Sequence, residues 1–328
     1  MTKIEPINSP SLWTGDQLAD CEELFINFKE SHLSEINHLI SGNIDSAPNL
    51  NHLLKNVRNR LEDGKGVVII KNIPVSDYSF EEAKSFFLNL VSMIGTPVSQ
   101  SSAGELIFSV KDSGYADDDP RSRGPNTRKK LSFHSDRCDV IGFLCLQQAI
   151  KGGENQIASS LAIHNYMVEN YPELVEALYE PFYYKRHNVD TVNNKPYCMQ
   201  PIFSITKGKF ACNVLRVLID RAYSMPELPS MSDRQRDALD KIEEIASLPN
   251  VNYQYLQEPG DILLLNNWVT LHKRSEFIDH EDEKKKRHIL RAWISPTNNR
   301  EIDPLFKDNY GDYRAGFVRG GMKASKSI

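Results

Sequence analysis

The chain has 328 residues, 40% of them hydrophobic, which is enough for one large domain or two small ones. Its 39 basic and 44 acidic side chains leave a net charge of −5, which argues against a polyanion partner over the whole surface. Five cysteines, Cys21, Cys138, Cys145, Cys198 and Cys212, are odd in number and none stands in CxxC spacing, so neither a disulfide framework nor a zinc ribbon is indicated.

In chain order, residues 1–64 read as a helical region. Leu18, Cys21, Leu24, Phe25 and Phe28 recur at helical spacing, as do Leu53, Leu54, Val57 and Leu61. His32, His38 and His52 sit on polar stretches and are expected to be solvated. Gly66 to Lys71 is a short buried strand. Ser79 and Glu82 have capping-box spacing ahead of a helix whose inner face is Ala83, Phe87, Leu90 and Ile94, and Gly95 and Pro97 stop it. Glu105 to Val110 is a strand. Lys111 to Lys130 is charged and rich in Gly and Pro; it reads either as a lid or as a plain solvated loop.

Phe133-His134-Ser135-Asp136 follows, then a doubly buried strand from Asp139 to Gln147 and a Gly152-Gly153 turn. Ser159-Ser160 leads into a helix carrying Ile163, Met167 and Tyr171. Phe182 to Leu218 is β-rich. Ser232 to Leu248 is an amphipathic helix. Pro259-Gly260-Asp261 is a tight turn into a strand from Ile262 to Trp268, with His272 just past it. Asp279 to Lys286 is a charged excursion, and His288 to Ile294 is a closing strand. The pattern is mainly β with helical decoration (α+β), on a jelly-roll core. One domain is expected over 1–328, with the core at 65–300 and a C-terminal segment at 301–328. No secretory-type apolar run and no stretch of membrane-spanning length is present, so a cytoplasmic setting without membrane or nucleic-acid partners is expected.

His134 and Asp136 are two apart on an extended segment and point to one side of it. Two His and one carboxylate on one face suit non-haem Fe(II). His272, closing Asn266-Asn267-Trp268-Val269-Thr270-Leu271-His272, is the best third ligand. A lone His-x-Asp also fits a turn His bonded to its neighbour. Arg287 and Arg291 are an even offset apart and share a strand face; either also fits a surface ion pair, although an unpaired Arg291 beside Leu290, Ala292 and Trp293 would be costly. Lys111, Arg121 and Arg137 are further candidates for anion contacts. His280 reads as solvated, His288 as facing away from both arginines, and His187 as lining a pocket or a surface strand. Cys138 and Cys145 lack an activating base and read as structural.

The pieces recur in a telling order: Phe-His-x-Asp, a strand, Gly-Gly, a helix, Pro-Gly-Asp, Asn-Asn-x-x-x-x-His-x-Arg and Arg-His-x-Leu-Arg-x-Trp. Over roughly residues 65–300 this resembles the taurine dioxygenase and clavaminate synthase-like family of Fe(II)/2-oxoglutarate oxygenases. The resemblance implies a distorted double-stranded β-helix. It also implies Fe(II), 2-oxoglutarate and O2 as cofactors, with His134, Asp136 and His272 as metal ligands and Arg287 on the distal carboxylate of 2-oxoglutarate. Arg291 would face the active site, with substrate or cosubstrate. After Gly-Gly the family usually has a small residue and Thr. Here Glu154-Asn155 stand there, so Asn155, Ser159 or Ser160 would take the Thr's place. The implied reaction oxidises a C–H bond of a small anionic or amino-acid-like molecule, biosynthetic intermediates among the candidates, with release of succinate and CO2. A carboxylate at Asp136 favours hydroxylation over halogenation. The competing reading is a catalytically silent sensor of metal or 2-oxoglutarate.

Overall fold

The computed structural model describes residues 4–114, 126–187 and 195–324. Its centre is a sheet whose strands are apolar on both faces. The order is Phe25–Asn27, Val67–Lys71, Ile262–Asn266, Val140–Gln147, His288–Pro296 and Gly95–Val98, with Ile107–Val110 also paired to His288–Pro296. All of these pairs are antiparallel except the first. Side chains of one parity, among them Val68, Ile70, Leu144, Leu264 and Leu290, pack beneath the helices Pro48–Asp63 and Phe80–Ile94. The other parity, Val67, Ile69, Ile141, Leu263 and Trp293, faces inward. There it meets Ile157 of a smaller sheet ordered Asn252–Tyr255, Asn155–Ser159, Thr270–Arg274. Two sheets stacked in this way form the jelly-roll core.

A second apolar cluster joins the helices Ser160–Asn170, Pro172–Tyr179, Arg216–Tyr223 and Asp233–Ala246 to the hairpin Pro181–Lys185 with Tyr197–Pro201. The capping box at Ser79 and Glu82 is present, and the doubly apolar strand at 140–147 is central in the large sheet.

Three expectations change. Leu18 to Phe28 is not one helix: Gly15–Ala19 is helical, Glu22–Leu24 is a single 3₁₀ turn, and Phe25–Asn27 adds to the sheet edge. The apolar period there reports burial, and Leu18 and Leu24 both reach the inward sheet face. Leu218 is helical, within Arg216–Tyr223. The strand from Ile262 ends at Asn266, whose side chain accepts from Trp268 N–H (2.9 Å) and donates to Leu61 O (2.9 Å). The chain therefore turns there, and His272 lies mid-strand in Thr270–Arg274. Part of the Lys111–Lys130 loop, including Arg121, lies outside the described residues, and so does the expectation of a lid. No described helix is long and apolar enough to cross a membrane.

Candidate active site

Backbone pairing brings the first pieces together. His134 N–H donates to His272 O (3.0 Å) and His272 N–H to His134 O (2.9 Å), an antiparallel bridge that docks the Phe133–Asp136 segment beside Thr270–Arg274. The imidazoles then face each other with centroids 4.5 Å apart. Asp136 is placed by its own N–H, which donates to Asn267 Oδ1 (3.1 Å), so the Asn266-Asn267 turn serves both the strand end and the carboxylate.

The three side chains converge. His272 Nε2 lies 3.3 Å and His134 Nε2 3.8 Å from Asp136 Oδ2, and one ligand atom from each residue fits within 4.8 Å of the others. Asp136 Oδ2 is buried and accepts no hydrogen bond among the described residues. An orphaned carboxylate oxygen beside two imidazole nitrogens is costly unless a cation completes it. His134 Nδ1 sits 2.9 Å from Ser132 O, which suits Nδ1–H and leaves Nε2 as a lone pair. Burial, and then the charge of His272, pull His134 down to about 4, so it is neutral. Burial opposes ionisation of Asp136, but Arg291 and the two imidazoles outweigh it and hold the carboxyl well below its ordinary range. One carboxylate and two imidazoles are a donor set that fits a divalent iron.

The triad opens on a cavity of about 820 Å³. Among the described residues, seven arginines and three lysines line it against Asp136 and Asp220, so the space favours anions. Arg287 is 7% exposed, and its guanidinium has no acceptor among the described residues; only its backbone N–H is used, toward Asp279 Oδ1 (2.7 Å). Gly153 has φ +83°, and a Cβ there would lie 3.2 Å from Arg287 Nε, so the Gly-Gly turn makes room for the guanidinium. Arg287, Ile289, Arg291 and Trp293 all line the cavity, whereas His288 turns away and stacks on Phe80. Arg291 Nη1 lies 3.6 Å from Asp136 Oδ1, and its Nε donates to Gln100 Oε1 (2.7 Å). Arg137 also lines the cavity.

Other candidates stand elsewhere. Asn155 lines the cavity, but its amide donates to Gln257 Oε1 (3.1 Å) and Tyr255 O (3.4 Å). Ser159 does not reach the cavity: its hydroxyl donates to Ser11 O (2.6 Å) and caps the following helix through Ala162 N–H (3.1 Å). The expected cosubstrate contact from Ser159 is therefore corrected, because the helix start consumes the hydroxyl. Lys111 is exposed and lies on the side of His288, whose imidazole it helps to keep neutral, so it is not a cavity residue either. Sequence reasoning assigned no role to Arg274, and His187 and Arg186 line the cavity as well. The cationic run Lys185-Arg186-His187 was their only local signal.

The profile of the taurine catabolism dioxygenase TauD, TfdA family matches residues 35–293. FR-33289 synthase from Streptomyces rubellomurinus is 30% identical over 275 residues, 81% of this chain and 77% of that protein. A taurine hydroxylase-like protein from Stachybotrys chartarum is 25% identical, covering 92% of this chain and 85% of its own length. Among solved structures, asparagine oxygenase with Fe(II), 3-hydroxyasparagine and succinate superposes with a TM-score of 0.64 at 13% identity, over 83% of this chain and 93% of that one. The oxygenase OrfP with iron and alpha-ketoglutaric acid superposes at 0.60 and 13% identity, over 83% and 94%. The sensor reading is thereby set aside, and the chain belongs to the TauD/TfdA family of iron- and 2-oxoglutarate-dependent oxygenases.

Proposed function

We propose that this oxygenase hydroxylates a C–H bond of a small acidic, amino-acid-like molecule, with His134, Asp136 and His272 holding the iron. The observation that carries the ligand assignment is the orphaned Asp136 Oδ2 between two imidazole nitrogens. Bound iron supplies the oxidising chemistry, in which 2-oxoglutarate loses CO2 to become succinate and one oxygen atom enters the substrate. The chain's own side chains bind and orient. Arg287, buried and without an acceptor among the described residues, suits the distal carboxylate of 2-oxoglutarate, because a planar guanidinium takes both oxygens at once. Arg291 and Arg137 line the cavity with the triad and suit the acid group of the substrate. Phe143 and Trp293 give the same walls an apolar surface that limits water.

Support for an amino-acid-like substrate comes from the cation-rich lining and from structural neighbours whose bound molecules are hydroxyasparagine and hydroxyarginine. We also read 1–328 as one oxygenase domain, since the N-terminal helices and Arg319 pack onto the same sheet. Five free cysteines, four of them buried, fit a reducing cytoplasm.

The test is anaerobic Fe(II) binding, followed by succinate release from 2-oxoglutarate on admission of O2, with pools of amino acids and other small acids screened for stimulation. His134→Ala, Asp136→Ala and His272→Ala are each expected to lose Fe(II) binding and turnover with an unchanged circular dichroism spectrum. Full activity in any one removes that residue from the triad. Stimulation by neutral compounds alone would overturn the acidic substrate.

A further inference from the structure

Two buried guanidiniums share one wall of the cavity. Arg274 and Arg287 are 6% and 7% exposed, and both lie over the ring of Phe277, at 4.7 Å and 5.3 Å from its centroid. Arg274 reaches this place because Thr270–Arg274 runs on from His272 with strand parity, so residues 272 and 274 point to one side. Its Nε and Nη2 are spent on the carbonyls of Ser275 and Lys129. No ion pair is formed by either guanidinium among the described residues. Two like charges buried side by side repel and lose hydration, a cost of the kind that proteins carry where an anion joins them. The other potential donor at this wall is committed: the Asn155 amide, at the position where the family usually has Thr, is turned toward Gln257 and Tyr255.

We infer that Arg274 is a second cosubstrate-binding residue, which closes with Arg287 on the distal carboxylate of 2-oxoglutarate and replaces the hydroxyl that Asn155 does not supply. The inference rests on the reading that Arg287 meets that carboxylate. The Phe277 ring covers part of both groups, which are 6% and 7% exposed, and Gly153 keeps the space beside Arg287 open. With Nε and Nη2 held by carbonyls, Arg274 offers its charge and its Nη1 beside the fork of Arg287, and a second cation there selects a 2-oxo diacid over a 2-oxo monoacid more steeply than one arginine would.

The experiment is anaerobic calorimetric titration of the Fe(II) protein with 2-oxoglutarate and with 2-oxobutyrate, which has the same chelating head but no distal carboxylate. Arg274→Met is expected to weaken 2-oxoglutarate about tenfold and to leave 2-oxobutyrate within about twofold; Arg274→Lys, which keeps the charge but loses the fork, is expected to weaken 2-oxoglutarate about threefold. If both Arg274 variants bind 2-oxoglutarate like the parent while Arg287→Met weakens it, the inference falls and the Arg287 reading survives. If Arg287→Met is also without effect, both fall. Equal loss for the two probes would make Arg274 a brace for the Lys129 carbonyl and overturn the inference. Should Arg274→Met fail to fold, Arg274→Lys decides, and an unchanged 2-oxoglutarate affinity there sinks it.

Discussion

At the scale of single residues, Asp136 is pulled from two directions. Arg291 faces its Oδ1 at 3.6 Å, and the imidazoles face its Oδ2. Arg291→Gln is expected to weaken Fe(II) binding by about tenfold to a hundredfold, because a residue that orients a ligand is lost. It should also raise the substrate KM, while 2-oxoglutarate affinity stays near parental. Fe(II) titration beside steady-state kinetics separates the two effects, and an unchanged Fe(II) affinity would remove the orienting role. A second residue-scale expectation concerns pH. Burial, and then the charge of Lys111, hold His288 down at about 4, below its unfolded value near 6.5. Its folded form therefore resists protonation. Its contribution is whole above pH 6.5 and is lost as pH falls toward 4, where the unfolded chain takes up the proton first. Because the imidazole is partly exposed, the loss is about 1–2 kcal/mol after discounting for solvent. Thermal melts of the metal-free protein should show it, and His288→Gln should flatten that part of the profile; an identical slope in the variant would refute it. The spacing of His134 and Asp136 was legible because strand parity is a local rule. Ser159 was not, because its partner is Ser11, 148 positions away.

At the scale of elements, the helix Asp233–Ala246 does more than decorate. Glu243 accepts from Phe133 N–H (2.8 Å) with one oxygen and from Lys273 Nζ (3.3 Å) with the other. It therefore ties the residue before His134 to the residue after His272. Glu243→Ala leaves a buried lysine without its carboxylate and a buried N–H without an acceptor, and it should cost about 2–4 kcal/mol. Denaturant unfolding measures that cost, and a change under about 0.5 kcal/mol would show that the brace is idle. The sequence marks this helix through its amphipathic period, and the structure adds a capping box at Ser232 and Gln235. Nothing local announces the brace, since it joins three elements that meet only after folding.

At the scale of the molecule, the C-terminal segment is fixed behind the triad. Arg319 and Asp139 are paired at 2.7 Å with 0% and 3% of their side chains exposed. Trp268, Ser295 and Asn299 donate to the same carboxylate. Removing one member of such a pair strands the other charge, so Arg319→Ala should destabilise the fold by about 3–5 kcal/mol. A denaturation midpoint within error of the parent would contradict this. The jelly roll itself was readable from the order of apolar strands and turns. The cavity's cationic wall was only partly readable, because its arginines come from five separated stretches that folding brings together.

The pairing of His134 with His272 carries a consequence for the order of events as the chain folds. The two residues stand 138 positions apart (272 − 134), yet their backbones are joined by two hydrogen bonds. Closing so long a loop is entropically expensive, and contacts of this span are expected to form late. Because the closure is made by main chain and not by the ion, the nest for iron is finished before iron arrives. The metal-free protein should then acquire its native circular dichroism at the same rate with or without Fe(II), and Fe(II) should slow only the reverse, unfolding, step. A refolding rate that rises with Fe(II) concentration would place the ion earlier, as a template for the chain and not as a guest in a completed site.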